Sequence, residues 1–195
     1  MKKIVALTDL SDQSRQAAEA AVMLSGKLNA NLILFNTFVS QPVLPEYGGN
    51  PWAVEELIWA DEGKEKLEFL KEQLDPLVDA LPTADHHASI DCRQGMGNLG
   101  PQIKELISKE PVEMIVMGAR TGSAWEHILM GSDTVSVINH TDRPVLIIPE
   151  RHPLKPLKKV TIATDLDDAD IKAVHYLTRL GRLFNFHIEI VNVKL

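Results

Sequence analysis

Short apolar runs recur along the chain, and between them the apolar positions spread out to helical spacing. Ile4-Val5-Ala6-Leu7 is too short for a helix and reads as a strand. It stops at Thr8-Asp9-Leu10-Ser11-Asp12, where Ser11 or Asp12 can accept from the free N–H groups of a following helix. That helix is predicted over 13–28, with Ala17, Ala21, Leu24 and Leu28 on one face. Asn29-Ala30-Asn31 ends it, and Leu32-Ile33-Leu34-Phe35 reads as a second strand. After a loop rich in Pro and Gly, Pro51 sits where its missing N–H costs nothing, in the first turn of a helix predicted over 51–80. Trp52, Leu57, Leu67, Leu70, Leu74 and Leu77 supply its apolar positions, and their imperfect spacing predicts a bend or break. Residues 86–93 alternate as a third strand. A helix over 101–109, a strand over 112–117, a helix over 132–140 and a strand over 144–148 complete the series.

Strands and helices alternating through connections this short predict an α/β fold: an open parallel sheet with helices on both faces. The runs at 4–7 and 113–117 are the most continuously apolar, which places them centrally. Residues 158–195 then repeat 2–39 without a gap at an offset of 156. Lys2-Lys3 recurs as Lys158-Lys159 and Thr8-Asp9-Leu10 as Thr164-Asp165-Leu166. Asp12, Ala17, Leu24, Asn29 and Asn36 recur as Asp168, Ala173, Leu180, Asn185 and Asn192. The expected organisation is one domain over 1–149, a linker over 150–157 with Pro153 and Pro156, and the start of a second repeat, strand-helix-strand, over 158–195. Two parallel strands cannot bury their faces alone. The chain is therefore expected either to be a piece of a longer tandem protein or to pack its second repeat on the first or on a partner.

Composition narrows the partners. Of 195 residues, 45% are hydrophobic and 24% charged, and the net charge is −7. An acidic chain argues against sequence-independent nucleic-acid binding and against anionic membranes, since both need a basic face. No run approaches the ~18 apolar residues of a membrane span. The chain passes from Met1-Lys2-Lys3 straight into its first strand, and Cys92 is the one cysteine. These features predict a cytoplasmic, reducing location without an internal disulfide. Cys92 lies in the alternating stretch Ile90-Asp91-Cys92-Arg93 and is expected to be structural.

Three glycine patterns carry candidate chemistry. Gly95-Met96-Gly97-Asn98-Leu99-Gly100 has the G-x-G-x-x-G spacing of a dinucleotide loop, but it follows the third strand, and the next strand ends in Met117-Gly118 where that fingerprint needs an acid. It is expected to be a loop that begins a helix; an oxidoreductase using it is the least favoured reading. No G-x-x-x-x-G-K-[ST] and no G-x-S-x-G occurs. The scattered histidines, with His86-His87 pointing to opposite faces of a strand, predict no metal site. The stretch 118–132 remains, as a phosphate cradle or as a plain strand-to-helix loop. It follows a central strand. Its glycines let backbone N–H groups approach an anion, Gly131-Ser132 opens a helix whose N-terminus favours phosphate, and Arg120 adds a cation. Asp9 is expected at the tip of the other central strand, and ligands of open α/β sheets bind where the strand order reverses.

Together these residues resemble the universal stress protein family, over 1–149 as a whole domain and over 158–195 as the start of another. The resemblance implies a five-stranded parallel sheet of order 3-2-1-4-5. It also implies a nucleotide loop of the form G-x-x-G-(nine residues)-G-[ST]. Gly118 fits the first glycine and Gly131-Ser132 the last pair; Thr121 stands at the second glycine, with Gly122 one place late. By the same resemblance Thr8 and Asp9 face the adenosine part and Thr37 lies against adenine. Met117, Arg120, Asp133 and Thr134 complete the pocket. Asp133 beside phosphates is repulsive unless a cation intervenes. The implied function is that of a cytoplasmic stress-response protein whose first domain binds ATP, with Mg, as a nucleotide-modulated regulatory module. No general base is placed to activate water, so it is not expected to be an enzyme beyond slow hydrolysis. The alternative is a scaffold that binds no nucleotide. In either case the edge strand at 144–148 is expected to pair with its equivalent in a homodimer or between tandem repeats.

Overall fold

The structure, a computed structural model, describes residues 1–38, 52–82, 87–119, 132–149 and 155–192, with backbone alone for Gln13 and 52–60. The chain divides into two compact units, Met1–Pro153 and Leu154–Leu195.

In the first unit β1 (Lys3–Leu7), α1 (Asp12–Leu28), β2 (Asn31–Phe38), α2 (Trp52–Asp79), β3 (Ile90–Met96), α3 (Leu99–Lys109), β4 (Val112–Gly118), α4 (Ser132–His140) and β5 (Val145–Ile148) follow in order. All pairs are parallel and the sheet order is β3-β2-β1-β4-β5, as the resemblance implied. The runs expected at the centre are there: β1 lies between β2 and β4, and Ile4, Val5, Ala6, Ile115 and Val116 are fully buried. Alternation sends Val5, Leu7, Ile33, Phe35, Ile115 and Met117 to one face, against Ile103 and Leu106 of α3 and Val137 of α4. The opposite face takes α1 and α2. Ser11 caps α1, its hydroxyl accepting from Ser14 N–H at 3.3 Å, and Asn29 ends the helix in the left-handed region at φ 48°.

Several elements differ from the sequence reading, β2 among them at Asn31–Phe38. The third strand is Ile90–Met96, not 86–93; His86 lies outside the described residues, and His87 to Ser89 precede the strand. The longer β2 sets this, because its far end pairs Thr37 with Gly95 and Phe38 with Met96. The long helix α2 runs unbroken to Asp79 with Pro76 inside it. Its buried stripe is Leu67, Leu70, Leu74 and Val78, a regular three-four spacing, while Leu77 is 42% exposed. The uneven steps in the sequence lie earlier, from Trp52 to Leu57 and from Leu57 to Leu67, and the helix passes through them without a break. Helix α3 begins at Leu99, before Pro101, so the glycine stretch 95–100 is split between β3, a short turn and α3.

The second unit is β6 (Lys159–Thr164), α5 (Asp170–Phe184) and β7 (His187–Asn192), with β6 and β7 parallel. It reproduces details of β1-α1-β2. Leu10 and Leu166 both have positive φ, 64° and 68°, and Asn185 ends α5 at φ 56° as Asn29 ends α1. Ile162, Leu180 and Phe186 are buried, but Ile190 is 57% exposed.

At the N-terminal end of the sheet, Glu110 joins three elements. Lys3 Nζ stands 2.7 Å from its carboxylate and Arg93 reaches it from β3. These hold its pKa below the ordinary range, the Lys3 hydrogen bond foremost. A depressed carboxyl stabilises the fold above its unfolded pKa and loses that contribution as pH falls through the folded pKa. Glu110→Gln is expected to lower the melting temperature at pH 7. Thermal melts should show the gap from wild type closing as pH drops below about 4.3.

Candidate functional site

The first strand hands its tip to α1 through a locked turn. Thr8 N–H donates to Phe35 carbonyl at 2.9 Å, fastening the tip to β2. Thr8 Oγ1 accepts from Leu10 N–H at 2.9 Å and lies 2.7 Å from Ser14 Oγ. Ser14 Oγ donates to Ser11 carbonyl at 2.9 Å, so the proton between the two hydroxyls belongs to Thr8. From β2, buried Asn36 donates through Nδ2 to Thr8 carbonyl at 2.8 Å. Asp9 follows on this fixed base with its side chain exposed. Its Oδ1 accepts from Ser11 N–H at 3.1 Å and from Ser11 Oγ at 2.5 Å. The carboxylate is thus oriented by the turn at the tip of β1.

The tip of β4 arrives beside this turn. Ala119 N–H donates to Ile148 carbonyl at 2.9 Å, so Met117-Gly118-Ala119 is held by β5 on its other side. Helix α4 then begins at Ser132 with Asp133 in its first turn. Between the tips lies a cleft of about 300 Å³, at the lower end of the range for small-molecule sites. Leu7, Phe35 and Met117 give it an apolar floor. Asp9, Thr37, Asn98 and the start of α4 give it polar walls.

Of the residues singled out by sequence, Thr8, Asp9, Thr37, Met117, Gly118, Ser132, Asp133 and Thr134 all line this one cleft. Thr37 does so from inside β2, not from beyond it. Arg120, Thr121 and Gly131 lie outside the described residues. The cleft also takes in Ser11, Ser14, Asn36, Gly97, Asn98 and Leu99, which were not anticipated. Asn36 carried a signal, since it is a polar residue in an apolar strand and recurs as Asn192. The turn at 97–99 joins the site because β2 and β3 extend alongside β1. Gly97 N–H donates to Phe38 carbonyl at 2.8 Å, and its φ of 106° is one that side chains rarely adopt.

The other glycines of that stretch serve packing. A Cβ on Gly95 would lie 2.7 Å from Gln102 Oε1, and one on Gly100 2.9 Å from Ser136 carbonyl. Their spacing is used by the contacts of α3 and α4, which argues against a dinucleotide loop. Among the described residues no group of three His, Cys, Asp or Glu is arranged to hold a metal ion, and no helix is long and apolar enough to cross a membrane.

The arrangement sets a carboxylate at Asp9, an apolar floor and the start of α4 around one crevice, a combination suited to hydroxyl groups, a ring and an anion. It defines a class: a doubly wound α/β domain with a ligand-sized crevice where its strand order reverses. Residues 1–149 match the universal stress protein family, and the chain belongs to that family. It is 26% identical over 147 residues to the universal stress protein MJ0531 of Methanocaldococcus jannaschii, covering 75% of this chain and 81% of that one. A universal stress protein solved in complex with cAMP shares the fold at 21% identity and a TM-score of 0.52, over 78% of this chain and 98% of that one. A universal stress protein from Archaeoglobus fulgidus DSM 4304 aligns at 17% identity and a TM-score of 0.69, over 98% of this chain and 66% of that one.

Outside the cleft, Cys92 reads as structural. Its Sγ stands 3.5 Å from Leu67 carbonyl, and burial first, then Glu68, pushes the thiol up to about 12. Alkylation of the native protein at pH 8 is expected to run on the order of thirtyfold slower than that of a free thiol, the lost thiolate being partly offset by higher nucleophilicity. Mass spectrometry over a time course reads this directly.

Proposed function

We propose that the first unit binds an adenine nucleotide in the cleft between the β1 and β4 tips. ATP with Mg is the intended ligand, and the protein works as a nucleotide-modulated regulatory module in a cytoplasmic stress response. One observation carries the reading. An oriented carboxylate at Asp9 and the N-terminus of α4 face a single crevice whose floor is apolar. Asp9 would accept from the ribose hydroxyls, the floor and Thr37 would lie against the base, and the phosphates would approach α4 through Gly118, Arg120, Thr121 and Gly131-Ser132. The solved relative that holds cAMP is consistent with an adenosine-sized ligand. Turnover of bound ATP would be slow, since we assign no general base among the described residues of the cleft. The second unit would be the beginning of another copy of the same fold.

A second reading draws on β5. Among the described strands it is an edge strand, paired with β4 on one side, and Val145, Leu146 and Ile147 are half-buried. An edge of this kind suits pairing with its equivalent in a homodimer or a tandem repeat. Under that reading the protein is a scaffold and the cleft stays empty.

Calorimetry on the full chain with ATP and Mg²⁺ separates the two. Nucleotide binding predicts a saturable isotherm. Asp9→Ala should weaken it about tenfold or more through loss of a charged hydrogen bond, and Gly131→Val should abolish it. No heat and no thermal shift at millimolar ATP, with association intact, would favour the scaffold.

A further inference from the structure

Asn98 lines the crevice from the β3 side, between Gly97 and Leu99, and it is exposed. It directly precedes α3, a place where an asparagine side chain ordinarily accepts from the N–H groups of the first helical turn. Asn98 makes no such side-chain cap bond. Its backbone is fixed nonetheless. The Asn98 carbonyl accepts from Gln102 N–H at 3.4 Å, and the preceding Gly97 N–H donates to Phe38 carbonyl at 2.8 Å. The second bond ties this turn to the end of β2, whose Phe35 and Thr37 line the same crevice. A short amide side chain therefore stands at a fixed place on the cleft wall without capping the helix it precedes.

We infer, resting on the reading that the cleft takes an adenine nucleotide, that Asn98 is a specificity-determining residue that reads the edge of the base. An amide carries a donor and an acceptor side by side in one plane. The edge of adenine that bears the 6-amino group offers the complement, a ring nitrogen that accepts beside an amino group that donates. Asn98 Nδ2 would donate to the ring nitrogen and Oδ1 would accept from the amino group. Thr37, on the same side of the crevice, offers one hydroxyl, whose donor and acceptor share a single atom. The apolar floor of Leu7, Phe35 and Met117 covers any purine ring alike, so it supplies affinity without choosing among bases. A purine that lacks the amino group keeps the bond to its ring nitrogen and leaves Asn98 Oδ1 without its partner.

The test titrates the full chain by calorimetry with adenosine and with purine riboside, the same nucleoside without the amino group. Wild type is expected to bind adenosine about tenfold more tightly than purine riboside. Asn98→Ala should weaken adenosine more than purine riboside and bring the two to nearly equal affinity. Asn98→Asp keeps an acceptor and loses the donor, so it should weaken both nucleosides and retain the preference for adenosine. Asn98→Ala should melt with wild type, since no cap bond is removed, and thermal melts of both variants establish that they are folded. A merely structural role for Asn98 would instead weaken the two nucleosides equally in Asn98→Ala. If adenosine binds but wild type shows no preference, or the preference survives Asn98→Ala, the inference fails while the nucleotide reading stands. If neither nucleoside binds and ATP with Mg²⁺ does not bind either, both fail.

Discussion

The site depends on one constraint, the reversal of strand order beside β1. From β1 the chain moves outward through β2 to β3, with α1 and α2 on one face of the sheet. It then crosses back to β4 on the other side of β1, and α3 and α4 cover the opposite face. Helix α1, which follows β1, and helix α4, which follows β4, therefore lie on opposite faces. Among the described residues a gap is left between the two strand tips, and Asp9 and Gly118 both line it. The geometry that produces the crevice is the geometry that lets both faces of the sheet be buried.

The tip carrying Asp9 is specified locally. Its turn recurs in the second unit with the same bonds: Leu166 N–H donates to Thr164 Oγ1 at 2.8 Å, Asp167 N–H to Asp165 Oδ1 at 3.2 Å, and Asn192 Nδ2 to Thr164 carbonyl at 2.8 Å. At the position of Ser14 the second unit has Asp170, which accepts from the Thr164 hydroxyl. Two stretches that share a sequence pattern thus build the same turn, although only the first is followed by β4 and α4. The turn is a property of strand, threonine and aspartate and survives a change of cap, since Ser11 caps α1 while α5 follows Ala169 with no side-chain cap bond; the cleft is a property of the whole sheet. Universal stress protein membership over 1–149 ties the two together in one domain.

This separation explains what could be read from sequence. Alternating elements, the central strands, the Ser11 cap and the stop at Asn29 rest on short-range patterns, and each was legible. So were Asp9, Thr37, Met117, Gly118 and the start of α4 as a candidate set, once strand tips were combined with the family resemblance. The limits of β3 were not legible, because its last residues owe their strand to pairing with an extended β2 and not to their own alternation. Nor was the part played by Gly97 and Asn98, since a turn after the third strand reaches the cleft only through that extension. Ser14 and Asn36 were missed for another reason. Their side chains hold the backbone that presents Asp9, a role visible only once bond partners are known.

The most direct test of the central claim, that the two strand tips form one ligand site, is an amide chemical-shift titration of the full chain with ATP and Mg²⁺. Saturable shifts should concentrate at Asp9 to Ser11, Thr37, Gly97 to Leu99, Gly118-Ala119 and Ser132 to Thr134, and the N-terminal end of the sheet around Lys3 and Glu110 should stay still. Shifts confined to one tip, or gathered at the opposite end of the sheet, would contradict the account.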